Sequence, residues 1–131
     1  MAYINKPKKK KGRRSAQAEA ERNKKRDIYR TERWKRLRMG YIMAHPLCEL
    51  CEARGIVELA VDVHHKDSFA KYQGSERLWR AYNPANLAAL CKACHGWVHR
   101  NGVTFDLDIE AEAAVLDDIF GKGTKPYRHE F

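Results

Sequence analysis

The chain has 131 residues, 44% of them hydrophobic and 33% charged, with a formal net charge of +9. That length supports one compact domain and a tail, and no apolar run approaches the roughly 18 residues that span a bilayer. Met1 to Arg38 holds 16 Lys/Arg against 4 Asp/Glu, leaving 10 against 13 for the rest, so the first segment is expected to meet an acidic partner, nucleic acid before an anionic membrane.

Residues 1–26 read as a basic tail, with Lys8, Lys9, Lys10 and Lys11 unbroken and Arg13 and Arg14 close behind. With so little apolar surface it is expected to stay disordered until it binds a polyanion. No apolar h-region follows the basic residues, so no secretory signal is expected and the chain is placed in a reducing cytoplasm. There, four cysteines in two C-x-x-C pairs are expected to hold metal rather than form disulfides.

Residues 27–120 are expected to form the folded domain, with 121–131 as a C-terminal tail. Ile28, Trp34, Leu37, Tyr41 and Ile42 fall near a 3.6-residue period, which predicts one helix over 27–43, with Arg33 and Arg36 among the cations left for phosphates. His45-Pro46 ends it, because a residue before proline avoids helical backbone. Pro46 to Gly55 reads as a metal-binding knuckle. Alternating Val57, Leu59, Val61 and Val63 predict a strand over 56–65. Residues 66–85 lack a clean period and read as a long functional loop, with a helical turn near 76–82. The loop carries Lys71, Tyr72, Arg77, Trp79, Arg80 and Tyr82, a mixture suited to DNA, although Trp79 and Tyr82 could equally cover apolar surface. Asn86 to Leu90 is a short run able to pair with the first strand, and Lys92 to Arg100 predicts a helix ended by Asn101-Gly102. An acidic amphipathic helix follows over 106–120, with Leu107, Ile109, Ala114, Val115, Leu116 and Ile119 expected inside and Gly121 as its cap.

Two metal environments are implied. Cys48-x-x-Cys51 and Cys91-x-x-Cys94 can close a four-thiolate zinc site, which is structural because no position is left open. His95 and His99, spaced i, i+4, share one helix face as two ligands of one metal must. Cys94 precedes His95 and points about 100° away from it. His64 and His65 end the first strand, where neighbours point to opposite faces, so one can join His95 and His99 while the other keeps a near-neutral pKa as a general base.

Val63-His64-His65-Lys66 followed by Asn86-Leu87-Ala88-Ala89-Leu90-Cys91-Lys92-Ala93-Cys94-His95 resembles the HNH endonuclease motif. Trp34-x6-Tyr41, leading into His45-Pro46-Leu47-Cys48-Glu49-x-Cys51, is similar to the small zinc-stapled HNH nucleases of tailed phages. The resemblance covers about 30–100. It implies an α+β fold, a ββα-metal finger with a four-cysteine zinc site and flanking helices. It further implies His64 as first metal ligand, His65 as general base, Asn86 as the asparagine that ties the loop and orients the base, and His95 as second ligand. Many relatives carry Asp at the position of His64; His there, with His99 added, looks like the colicin-type sites. Three imidazoles suit Mn2+, Ni2+, Co2+ or Zn2+ better than Mg2+.

The expected activity is therefore metal-dependent hydrolysis of double-stranded DNA, with 5′-phosphate and 3′-hydroxyl products and low sequence specificity, by a monomer or weak dimer. The resemblance also implies work beside phage terminase subunits and portal in genome packaging. A non-catalytic zinc DNA-binding module is the alternative; it would use every histidine as a ligand, whereas here three ligands and one base can be counted.

Overall fold

The computed structural model describes residues 12, 15–103 and 106–124. Lys8 to Lys11, Arg13 and Arg14 lie outside the described residues, as does most of the expected C-terminal tail. The fold is α+β: six helices around one two-stranded antiparallel sheet among the described residues.

Helix α1 runs Ala16–Tyr29 and α2 runs Glu32–Ala44. The single helix expected over 27–43 is thus two, and the expected boundary at residue 26 falls inside α1. The reasons are local. Ser15 caps α1 by accepting from Ala18 N–H, and alanines and glutamates in the first turns are strong helix formers. Thr31 breaks the chain between the helices: its hydroxyl donates to the Ile28 carbonyl at 2.7 Å and accepts from Trp34 N–H at 3.2 Å, closing one helix and capping the next. Helix α2 does end at His45, as the proline requires.

The short helix α3, Glu49–Ala53, lies inside the knuckle, and Gly55 leaves it at φ 74°. Only Asp62–His65 forms strand β1, pairing antiparallel with β2, Leu87–Leu90. Upstream, one bridge joins Leu47 to Leu59. Three of the four alternating side chains face outward, with Val57 82%, Leu59 68% and Val61 47% exposed, while Val63 packs against the cluster of Trp34 and Tyr41. The backbone of residues 56–61 bonds to 46–48, to Cys51 and to the end of β2, and period-2 alternation alone does not say which parity faces the core.

Strand β2 is buried along its whole length, which explains its unbroken apolar run. Ala88 and Leu90 join Cys48, Leu50, Val98, Leu107 and Leu116 on one side. Leu87 and Ala89 pack with Trp34 and Tyr41 on the other. Glu49 locks the knuckle to this strand by accepting from Ala89 N–H at 2.6 Å, and the Tyr41 hydroxyl lies 2.8 Å from the same carboxylate.

The expected loop over 66–85 is mostly ordered structure: a 3-10 turn at Phe69–Lys71, helix α4 at Gly74–Tyr82 and a second 3-10 turn at Pro84–Asn86. Its apolar anchors, Phe69 and Ala81, pack under Ile28 of α1, a contact with no local period to announce it. Helix α5 spans Lys92–Arg100 and α6 spans Ile109–Phe120, capped by Asp108 and Gly121. The buried positions of α6 are Ala113 and Leu116, while Val115 and Ile119 are exposed. The inward stripe runs Ile109, Ala113, Leu116, Phe120, rotated from the expected one because α6 packs across α3.

Arg54, fully covered, ties those two helices. Its Nε donates to Asp117 at 2.7 Å and its Nη2 donates to the carbonyls of Gly121, at 3.1 Å, and Thr124. Asp117→Asn should lower unfolding stability by about 3 kcal/mol, since a buried guanidinium would lose its counter-charge; guanidinium denaturation checks this, and an unchanged midpoint would refute the tie.

Candidate metal centre and active site

The cysteines gather first. Cys48 and Cys51 flank the start of α3, and Cys91 caps α5 with Cys94 in its first turn. All four are buried and unbridged, with Sγ atoms within 4.8 Å of one another. Cys51 Sγ lies 3.6 Å from Cys94 Sγ and 3.8 Å from Cys91 Sγ. Disulfide sulfurs would be about 2.05 Å apart. Four sulfurs set tetrahedrally about 2.3 Å from a zinc ion would be separated by about 3.8 Å, so the spacing fits that ion. Backbone N–H groups of Cys51 and Cys94 point at Cys48 and Cys91 Sγ, both at 3.5 Å, and such donors favour thiolates.

The histidines form a second cluster on the opposite side of α5. One ring nitrogen each of His64, His95 and His99 lies within 4.8 Å of the others, and the Nε2 atoms of His95 and His99 are 2.8 Å apart. His64 comes from β1, opposite Ala88. Its Nε2 is buried with no hydrogen-bond partner among the described residues, a cost of about 1–3 kcal/mol unless a ligand takes the lone pair. Burial first, then the neighbouring histidines, pushes the His64 pKa down to about 3, which keeps the ring neutral and able to ligate. An orphaned buried nitrogen facing two converging imidazoles fits a divalent cation.

Asp62 completes this cluster. Its Oδ2 accepts from His95 Nδ1 at 3.1 Å, which leaves His95 Nε2 as the ring's lone pair and aims it at the cluster. Sequence reasoning missed Asp62, although it stands two residues before His64 and therefore on the same strand face.

His65 sits apart, on the other face of β1. Its Nε2 donates to the Ala81 carbonyl at 3.0 Å, which leaves Nδ1 as the acceptor. Trp34 stacks on the ring at 4.8 Å between centroids and Phe69 meets it edge-on at 4.7 Å. Burial lowers its pKa to about 4 against the raising effect of the Ala81 bond, well below the near-neutral value expected from sequence, so the ring is uncharged at neutral pH. Asn86 makes no hydrogen bond to His65, so the expected orientation of the base by its side chain is indirect. Its Nδ2 donates to the carbonyls of Asp67 and Arg80, both at 2.9 Å, and its Oδ1 accepts from Asp67 N–H at 3.0 Å. It thereby pins both ends of the segment that presents Ala81.

A cleft of about 660 Å³ opens over these groups, lined by His64, His65, His95 and His99 together with Lys71 and side chains of α1. The cations expected to meet DNA are distributed unevenly. Lys71 pairs with Asp67 at 2.5 Å, and Arg80 pairs with the same carboxylate at 3.1 Å while lying over the Tyr72 ring. Arg77 Nε donates to the Tyr72 carbonyl, and Arg33 lies over the Tyr82 ring at 4.1 Å. Arg36 lines a separate surface hollow with His45 and Lys66. Of the two aromatics left open in sequence, Tyr82 is half-buried and bonds Thr31, whereas Trp79 is 59% exposed. Among the described residues no helix is long and apolar enough to cross a membrane.

Residues 48–101 match the family model described as HNH endonuclease. The fold is similar to the crystal structure, with manganese ion, of an HNH endonuclease from the deep-sea thermophilic bacteriophage GVE2. The TM-score is 0.56 at 21% identity, over 68% of this chain and 95% of that one. Comparison with curated proteins gives no match.

Cys91→Ser should remove one zinc per chain, measured by elemental analysis, and cost several kcal/mol of stability, since folding of such units is coupled to the metal. Full stability in that variant would mean the sulfurs need no ion.

Proposed function

We propose that the HNH endonuclease domain carried by residues 48–101 of this chain hydrolyses DNA phosphodiesters with one divalent ion held by His64, His95 and His99 and with His65 as general base. The observation that carries this reading is the separation of His65 from the other three histidines. Three ring nitrogens converge within 4.8 Å, while the fourth histidine is held by a backbone carbonyl through Nε2 and keeps its acceptor nitrogen spare. A purely structural site would have no use for that spare base.

When bound, the ion would supply Lewis-acid stabilisation of charge on the phosphate and on the leaving oxygen. The chain's own residues do the rest. His65 Nδ1 takes a proton from water as the water oxygen bonds to phosphorus. The bond from phosphorus to the 3′ oxygen breaks, that oxygen gains a proton from solvent, and the products are a 5′-phosphate and a 3′-hydroxyl. Trp34 and Phe69 hold the imidazole ring in place, and Asn86 fixes the loop whose Ala81 carbonyl selects its tautomer. Asp62 orients His95 as a ligand. A three-imidazole site favours manganese, nickel, cobalt or zinc over magnesium, and manganese, present in the structure of the phage relative, is the first ion to try. Cys48, Cys51, Cys91 and Cys94 would hold a zinc ion that ties the knuckle to α5.

Binding to double-stranded DNA draws on the basic N-terminal run and on exposed groups near the cleft, with Trp79 offering a stacking face. Among the described residues no helix presents an obvious base-reading edge, which suits low sequence specificity. A packaging role beside terminase subunits and portal rests on the resemblance to phage nucleases, and co-purification from infected cells tests it.

Plasmid cleavage by chelator-treated protein, with manganese, nickel, zinc or magnesium restored, tests the reading directly. His65→Ala should lose at least about a thousandfold in cleavage while binding duplex DNA and metal as before. His95→Ala should lose the divalent ion yet keep the cysteine-bound one. DNA binding without cleavage under every ion would leave a zinc-containing binding module instead. Removing residues 2–14 should also flatten the salt dependence of DNA affinity, by about 0.9 in the log–log slope for each phosphate that the tail neutralises; an unchanged slope would exclude the tail from the interface.

A further inference from the structure

Helix α1 lies outside the segment that matches the HNH model, yet Glu21, Lys25 and Tyr29 all line the active-site cleft. Their i, i+4, i+8 spacing sets them on one helix face. The placement is anchored at the C-terminal end of α1. Ile28 is buried against Phe69 and Ala81, and the Tyr29 ring packs on Trp34 at 5.4 Å and on Phe69 at 5.7 Å. Those two aromatics also hold His65. One turn earlier, Lys25 lines the same cleft as the four histidines.

The cations of the cleft are not equivalent. Lys25, Arg38 and Lys71 line it. Lys71 is paired with Asp67, and Arg38 donates through Nη2 to the Val61 carbonyl at 3.1 Å. Lys25 has no ion-pair partner among the described residues, even though Glu21 stands one turn before it. Asp62, the other lining carboxylate, is engaged by His95. A partly buried lysine lining a water-accessible cleft, with no counter-ion among the described residues, suits an anion brought by the substrate.

We propose that Lys25 is a substrate-binding residue of the active site, its ammonium contacting a phosphate oxygen of the DNA strand lying across His64, His95 and His99, so that α1 completes the cleft from outside the HNH segment. The inference rests on the nuclease reading and assigns this helix a local role beyond general attraction of DNA. The phosphate contact adds positive charge where the transition state gathers negative charge.

The test compares full-length wild type, Lys25→Gln, Lys25→Arg and Lys24→Gln in manganese-dependent cleavage of a defined duplex. Manganese per chain is measured for each, and duplex affinity is measured in a His65→Ala background. Lys24 adjoins Lys25 but does not line the cleft, so its replacement removes the same charge from the same helix. Lys25→Gln should lower kcat/KM by about tenfold to a hundredfold, with manganese content unchanged and duplex affinity little altered. Lys25→Arg should recover most of the rate, and Lys24→Gln should cut like wild type. Equal losses in the two glutamine variants, a drop in bound manganese, or wild-type cleavage by Lys25→Gln would each overturn the assignment. Failure of wild type to cut with any ion is a different result: it removes the nuclease reading, and the assignment with it.

Discussion

Cys91 caps α5 and Cys94 lies within its first turn, so wherever the four sulfurs are held the helix is held with them. That one constraint propagates through the domain. It sets the rotation of α5 about its own axis, and with it the direction of His95 and His99 on the far side of the helix. It places the end of β2 directly before the sulfur cluster, because Leu90 is followed at once by Cys91. Through Cys48 and Cys51 it brings α3 against β2, where Glu49 takes the Ala89 amide, and α3 in turn carries Arg54 to α6. A domain with three small apolar clusters gains its rigidity from such cross-links more than from a large core.

The sheet turns that rigidity into chemistry. Strand β1 is four residues long and its alternation divides two adjacent histidines between two environments. His64 faces α5 and the other imidazoles, with a lone pair that no described group satisfies. His65 faces α2 and is enclosed by Trp34, Phe69 and the Ala81 carbonyl. The same residue type serves as candidate ligand and candidate base because the backbone presents them to opposite sides. Burial keeps both uncharged, which suits metal ligation on one face and proton acceptance on the other.

Loop order supports this division. Asn86 spends its side-chain amide on the backbone of Asp67 and Arg80, and Asp67 spends its carboxylate on Lys71, Tyr72 and Arg80. Several residues that read as DNA contacts from their charge therefore first hold the loop in shape. Charge alone does not distinguish a cation offered to a phosphate from one neutralised at home; only the partner's position does.

The metal-bearing parts were legible in sequence because they depend on short, fixed spacings. C-x-x-C turns, an i, i+4 histidine pair and an adjacent His-His are local geometry, and the resemblance to HNH nucleases followed from their order. Helix α5, the pairing of β1 with β2 and the proline-limited end of α2 were legible for the same reason. What tertiary structure alone decided were questions of facing and of partners. Whereas the division of one apparent helix into two at Thr31 is a local capping event that the periodic pattern overran, the valines of 57–61 turned outward and α6 rotated its buried stripe because each depended on surfaces contributed from elsewhere in the chain. Asp62 on His95 and α1 along the cleft belong to that second class. A periodic pattern states that a face exists, but the energy that selects its neighbour comes from atoms far away in sequence.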